Sequence, residues 1–420
     1  MSLAAEPGAL PRQAPSGRRE ILGIVFTTIL LDFIGFSVLI PVLPIYAKRL
    51  GASSVEVGLI VSLYAAAQLL FLPAWGWLSD RVGRRPVLLS SLCGTVMSFL
   101  LLALSDSLGM IYLARVLAGI FAASIGTAQA VVTDVTPEGE RAHGMGVIGA
   151  AFGLGFVVGP ALGGALAAWS ERAPFYAIAL LAALNLGIAW LRLPESRPPA
   201  RGPWSWDGLG RSFVPTPLRL LVAVHDRRIG LYLYLFFHLF TAFSALESMF
   251  TVYVFQRFGL DAAGAAKIFT VIGIFIALTQ GVLIRRLAPR LGERALVVGG
   301  LLLTAGGLAA IPLASEVGWL YLIGPLIAIG NGLAFPSFTS LYSQATATER
   351  AGELLGQSQS MATTGRIAGP LWAGWALDHV ALGAPFVLAG LLMAIGLGIF
   401  LAFRRLLLGP ELAGGGAATR

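Results

Sequence analysis

Apolar residues fall along this chain in long unbroken blocks separated by short polar or glycine-bearing turns. The pattern has neither the alternation of a half-buried strand nor the single apolar face of a surface helix. Twelve blocks are legible, at about 21–46, 55–78, 87–105, 108–133, 143–168, 173–193, 229–256, 262–284, 295–314, 317–344, 354–377 and 381–403. A helix rises ~1.5 Å per residue, so blocks of this length match the ~30 Å hydrocarbon layer of a bilayer. The prediction is an all-α membrane protein of twelve transmembrane helices. The only long polar stretch within the body runs from Pro194 to Asp226 and separates two sets of six spans. The predicted units are a disordered tail over 1–20, a six-helix bundle over 21–193, a linker over 194–228, a second bundle over 229–405 and a tail over 406–420. In the linker, 217–225 suits a short interfacial helix, and Trp204 and Trp206 suit headgroup depth.

Of 420 residues, 57% are hydrophobic and 12% charged, which excludes a soluble domain of this size. The net charge of +8 raises nucleic acid as a partner, but the positions of the basic residues exclude it. Most of the 29 Lys and Arg cluster at one set of span ends; Lys48, Arg49, Arg172, Arg257 and Lys267 stand at the other. That asymmetry is the positive-inside rule, and it predicts a multi-pass inner (plasma) membrane protein with both termini in the cytoplasm. Cys93 is the single cysteine, so no intrachain disulfide forms. His143, His225, His238 and His379 lack acidic or cysteine neighbours at ligand spacing, and no GxxxxGK[ST] run occurs. No metal, cofactor, ATP-driven step or enzymatic nucleophile is expected.

Between the second and third spans stands the charged turn Gly76-Trp77-Leu78-Ser79-Asp80-Arg81-Val82-Gly83-Arg84-Arg85-Pro86. Asp80 and Arg81 at a helix end can pair with neighbouring helix termini and hold a closed arrangement that must break on opening; the plainer reading is topogenic charge. An internal repeat supports two related halves. Gly155-x-x-x-Gly159-Pro160 in the fifth span returns as Gly365-x-x-x-Gly369-Pro370 in the eleventh. Leu287 to Arg294 likewise mirrors Leu78 to Arg85, with Pro289 in place of Asp80. Glycines four apart let helix backbones approach and the proline lets the helix bend, with tight packing alone as the plain alternative.

Formal charges deep in a span cost at least ~2.5–3.5 kcal/mol each on insertion scales, so Asp32, Arg115, Glu247 and Arg366 each need a reason. Asp32 lies ~18 Å along its helix from Glu20, and Arg115 enters from the opposite side to a similar depth. The two are expected to meet as a proton-coupling pair; a structural buried pair is the alternative. Glu247 is a second carboxylate for a proton or a substrate cation, with Arg366 a loosely matched partner. Gln68, Gln129, Asn185, Gln280 and Asn331, with Phe36, Tyr64, Phe71, Phe335 and Phe338, supply polar and aromatic groups for a cavity, although each singly is more often a packing residue.

The signature loop resembles that of the major facilitator superfamily. The resemblance extends to its drug:proton antiporter branch through GLGFVVGPALGG in the fifth span, Leu31-Asp32-Phe33-Ile34-Gly35 followed by Pro41 and Pro44, Arg115 with Gly119, and Leu63-Tyr64-x-x-x-Gln68. It implies two pseudo-symmetric six-helix bundles around a central cavity, binding near the midplane at the repeat interface, and efflux of a hydrophobic or cationic small molecule in exchange for protons. The expected partners are that substrate, protons and the bilayer, with the protein a monomer. On this reading Asp32 and Arg115 couple protons. Gln68, Tyr64, Phe36, Glu247, Asn331 and Phe335 line the cavity. Gly76, Asp80, Arg81, Gly83, Arg84, Arg85, Gly155, Gly159, Pro160, Gly365, Arg366, Gly369 and Pro370 carry conformational change. Tetracycline carriers have acidic and histidine residues where this chain has Ser98 and Ile276, which puts that drug in doubt as substrate. A proton-coupled metabolite transporter, or a non-transporting receptor on the same scaffold, are the competing readings.

Overall fold

A computed structural model describes residues 15–137, 140–197, 227–345 and 351–407. In hydrocarbon every backbone polar group must be satisfied within its own segment, so the apolar blocks fold as helices. Helix α1 (Pro15–Arg49) starts on a proline, whose missing N–H costs nothing in a first turn. The tail expected over 1–20 is therefore helical from Pro15, and 1–14 lie outside the described residues. Helix α2 (Ser54–Val82) begins with a capping box: the Ser53 hydroxyl accepts from the Glu56 N–H, and the Glu56 carboxylate accepts from the Ser53 N–H.

The loop expected over 76–86 is shorter than its charges suggest. Helix α2 continues through Val82, α3 (Arg84–Leu104) starts two residues later, and Gly83 alone turns the chain at φ 101°. A left-handed backbone there favours glycine. The fourth span is broken instead: α4 (Leu108–Ile120) and α5 (Ser124–Val135) are separated by Phe121 to Ala123. Helices α6 (Arg141–Ala167) and α7 (Ala173–Arg192) complete the first half.

The second half comprises α8 (Arg227–Phe258), α9 (Ala262–Leu278), α10 (Ile284–Ala310), α11 (Val317–Gln344), α12 (Ala351–His379) and α13 (Ala384–Ala402). A π-helical turn, Thr279–Leu283, joins α9 to α10. By length and apolarity ten helical stretches among the described residues qualify as spans, one of them the 52-residue run Ala262–Leu313. Gly292, at φ 75°, divides that run in two, and α12 with 29 residues supplies the twelfth span. Leu180, Leu184, Leu302, Leu322, Leu391 and Ile395 form an exposed apolar belt that suits lipid.

The halves repeat each other in packing as well as in order. Gly83, between α2 and α3, and Gly292, at the kink within α10, mark matching turns between the second and third spans of each half, both with positive φ. In the first half α6 lies against α1, where the Ser37 hydroxyl donates to the Gly155 carbonyl at 2.8 Å and a Cβ on Gly159 would overlap Ser37 Oγ. In the second, α12 lies against α8, where the Ser244 hydroxyl donates to the Gly365 carbonyl at 3.3 Å and a Cβ on Gly369 would overlap Ser244 Oγ. The repeated glycine motif thus fixes the first helix of each half against the fifth.

Between halves, α2 packs on α12 and α6 on α9, with α1 touching α8 and α9. The end at which α1 starts is called here the terminal face and the opposite end the far face. Four hydrogen bonds between the halves, among the described residues, lie towards the far face. Ser54 and Val55 N–H donate to Asp378 Oδ2 at 2.8 and 3.1 Å, the Ser62 hydroxyl to the Ile367 carbonyl at 2.8 Å, and the Thr251 hydroxyl to the Ile40 carbonyl at 3.0 Å. The linker region 198–226, with Trp204, Trp206 and the expected interfacial helix, lies outside the described residues.

Candidate functional site

Asp32 projects from mid-depth of α1 and keeps part of its surface open. Its carboxylate faces the Ser124 hydroxyl, the first residue of α5. A helix that begins inside the membrane leaves N–H groups unpaired and presents the positive end of its dipole. Ser91 of α3 satisfies part of this break: its Oγ lies 2.6 Å from Ser124 Oγ, accepts from the Ala123 N–H at 3.2 Å, and bonds the Phe121 carbonyl. Asp32, Ser124 and Ser91 therefore form a polar line from α1 across α5 to α3. Sequence reading missed both serines. The signal available was the small-residue run Ala122-Ala123-Ser124 between Gly119 and Gly126, which marks a weak point in the fourth span.

Arg115 is buried, 5% exposed, but makes no ion pair with Asp32, contrary to the expected pairing. Its guanidinium sits over the Tyr64 ring, 4.5 Å from the centroid. The break in the fourth span explains the difference: the acid is met by the start of α5, while the arginine, on α4, turns to the aromatic face of α2. Gln68 Nε2 donates to the Tyr64 hydroxyl at 3.4 Å, and Phe36 lies against Tyr64 with centroids 6.4 Å apart. Phe36 also meets Phe156, which with Phe33 and Phe152 makes an aromatic cluster on α1 and α6 that the sequence did not single out.

The second half contributes a similar group. The Arg366 guanidinium lies over Phe240 at 5.1 Å, and Phe240 packs at a tilt against Phe335 with centroids 4.6 Å apart. Asn331, one turn before Phe335 on α11, has its buried Oδ1 without a hydrogen-bond partner. Glu247 is within electrostatic range of Arg366 without forming an ion pair, so the loose pairing expected of them is one of proximity only. Tyr64 joins the two groups, lying within electrostatic range of Arg115, Asp32 and, across the divide, Arg366. Phe338, read as a wall residue, is instead core, 1% exposed among Tyr232, Phe236 and Phe400. Asn185 is likewise structural, its Nδ2 donating to the Thr28 hydroxyl at 3.0 Å. His238 is buried against the Leu392 carbonyl at 2.7 Å, and no cluster of metal-ligating side chains occurs among the described residues.

At the terminal face the charged turn builds a network within the first half. Arg84, 8% exposed, reaches Asp80 at 2.8 Å, Asp134 at 3.3 Å and the Ser79 hydroxyl at 3.1 Å. Glu195 accepts from the Arg84 and Arg85 N–H groups and so caps α3, and Arg197 reaches Asp80 at 3.2 Å. Arg84 rather than Arg81 is the buried centre, since Arg81 packs over Trp77 at 5.0 Å. Asp134 and Glu195, unseen as partners in the sequence, supply the acids. Arg85 donates to the Trp190 carbonyl at 2.6 Å, and Gly76 is an exposed helical position.

An arginine over an aromatic ring in each of two repeated, lipid-facing bundles matches one kind of membrane protein, and comparison decides it. The profile of the Major Facilitator Superfamily matches residues 25–370. The chain belongs to the major facilitator superfamily. It is 31% identical over 362 residues to the class G tetracycline resistance protein of Vibrio anguillarum, covering 82% of this chain and 90% of that one. It is 29% identical over 388 residues to multidrug resistance protein 1 of Bacillus subtilis (strain 168), covering 91% of this chain and 96% of that one. Among solved structures it resembles the human organic anion transporter MFSD10 (TETRAN), with a TM-score of 0.70, 27% identity, and coverage of 92% of this chain and 100% of that chain. The major facilitator architecture, twelve transmembrane helices in two six-helix bundles, is thus that of a multi-pass membrane transporter.

Proposed function

We propose that this chain is a proton-driven exporter that exchanges hydrophobic or cationic small molecules for protons across the inner membrane. Both termini lie in the cytoplasm on this reading, and the protein works as a monomer. The observation that carries it is the position of Asp32. A titratable carboxylate stands at mid-depth, beside the Arg115–Tyr64 pair, and Tyr64 in turn senses Arg366 of the other half. A proton taken up there acts at the divide that alternating access has to move. The kinship with tetracycline and multidrug resistance proteins supports export as the direction.

On this reading, with the termini in the cytoplasm, halves joined towards the far face are the cytoplasm-facing stage of the cycle. The cavity groups Asp32, Tyr64, Gln68, Glu247 and Arg366 retain open surface and meet substrate from the terminal side. Ionised Asp32 and Glu247 recruit a cation there. The halves, 21–193 and 229–405 joined by 194–228, then rock so that the α2–α12 and α6–α9 contacts part. Protonation from the far side removes the carboxylate's hold, and substrate leaves. One proton moving through ~150 mV yields ~3.5 kcal/mol, which sustains a gradient of several hundredfold, so one carboxylate suffices. The test is accumulation of a fluorescent lipophilic cation in cells lacking other pumps. Cells expressing the protein should hold less dye than empty cells, and an uncoupler should erase the difference. Equal accumulation, or a difference the uncoupler leaves intact, would refute proton-driven export.

A further inference from the structure

We infer that Arg115 and Arg366 form a subsite for an acidic group of the substrate, so that the transported compound is an aromatic molecule bearing a carboxylate or comparable anion beside its apolar and cationic parts. The inference rests on the reading of the cleft between the halves as the substrate site and specifies what that site selects.

A guanidinium keeps its charge at any physiological pH, and burying it costs several kcal/mol unless acceptors replace its water. This chain meets that demand where an arginine is structural. Arg84, as buried as Arg115, is held by two carboxylates and a hydroxyl, and Arg172 reaches the Tyr46 hydroxyl at 3.1 Å and the Ser105 carbonyl at 2.9 Å. The two mid-membrane arginines are treated differently. Arg115 and Arg366 form no ion pair or hydrogen bond among the described residues, and the Nε of each is buried without an acceptor. Their neighbours are aromatic faces, Tyr64 at 4.5 Å and Phe240 at 5.1 Å. Cation–π contact contributes about 0.5–2 kcal/mol, well short of the desolvation of a buried ion.

The nearby acids do not close the gap. Asp32 faces Ser124 and the start of α5, and Glu247 stays within electrostatic range of Arg366 without bonding it. The Arg115 guanidinium of one half lies over Tyr64 at 4.5 Å, and Arg366 of the other half, over Phe240, is within electrostatic range of the same phenol. A carboxylate entering between them gains donors from both halves at once, and the aromatic rings already stacked on the arginines offer its apolar body a wall. The buried Asn331 Oδ1 adds an acceptor on the same side as Phe335 for a donor group of the ligand.

The test uses two dyes that differ in one group: a rhodamine with a free benzoate and the same rhodamine as its methyl ester. Binding to the purified full-length protein in lipid nanodiscs is followed by fluorescence anisotropy. The free acid should bind about tenfold more tightly than the ester, the preference falling to about one in Arg366→Gln and surviving in part in Arg366→Lys. The wild-type comparison decides the matter even if the glutamine variant fails to fold. Equal or tighter binding of the ester, binding of neither dye, or an acid preference that persists in a folded Arg366→Gln would overturn the inference. Uncoupler-sensitive efflux of the ester without preference for the acid would overturn it while leaving proton-driven export standing; acid preference with no proton-driven efflux of either dye would do the reverse.

Discussion

Asp378 reaches across from the last turn of α12 to cap the first turn of α2, and its removal gives a sharp prediction about conformation. The Ser54 and Val55 N–H groups that it accepts belong to the other half, at 2.8 and 3.1 Å, so these bonds exist only while the far face is closed. Ser53 and Glu56 already form a capping box within the first half, and therefore α2 keeps its own cap when Asp378 is lost. Replacing a capping carboxylate by alanine costs ~1 kcal/mol, with an upper range of ~2. Because that cost falls on the far-closed state alone, Asp378→Ala should shift the ratio of far-closed to far-open molecules by about fivefold towards opening. Spin labels at Asp106→Cys and Ser315→Cys, exposed far-face positions on the two halves, would report it in a Cys93→Ser background. Electron–electron double resonance should show the long-distance population rising in Asp378→Ala, and rising less in Asp378→Asn, which keeps an acceptor. An unchanged distribution, or a shift towards shorter distances, would refute the role assigned to this cap.

The terminal-face network should rank its arginines by burial. Arg84→Ala leaves the part-buried Asp134 without its arginine and Asp80 with Arg197 alone, and should cost about 2–3 kcal/mol, whereas Arg197→Ala, breaking a half-exposed pair, should cost under ~1 kcal/mol; thermal unfolding in detergent measures both. Gly159→Ala places a Cβ onto Ser37 Oγ and 2.8 Å from the Ile34 carbonyl, and Gly369→Ala places one 2.5 Å from the Thr241 carbonyl. Each should destabilise its own half by about 1–3 kcal/mol, and a Ser37→Ala companion change should recover part of the first loss, read as a partial return of the unfolding temperature.

Much of this architecture was legible because a bilayer leaves few options. Twelve apolar blocks, the polar interval after Pro194 and the repeated GxxxGP motif carried the span number, the halves and their kinship, and both glycine pairs were found in tight contact. Local geometry was less legible. The break at Phe121 to Ala123 lies in a run as apolar as its surroundings, and what permits it is a hydroxyl contributed from Ser91 on another helix, a long-range fact that no window of sequence contains. That break is also why Asp32 and Arg115 part. The two were matched by depth alone, and depth does not fix which side of a helix a residue occupies. The signature turn shows the same limit: its spacing marked the charges, but Asp134 and Glu195, distant in sequence, decide that Arg84 is the one buried.

The claim on which the account turns is that Asp32 couples proton flow to substrate movement. The direct measurement is transport into inverted membrane vesicles or oriented proteoliposomes with an imposed pH gradient, comparing the wild type with Asp32→Asn. The account predicts that the wild type concentrates a fluorescent substrate above equilibrium and that the gradient's collapse releases it. Asp32→Asn should still bind the substrate and let it equilibrate, without accumulation. Uphill transport retained in Asp32→Asn would contradict the claim and move the coupling role to Glu247.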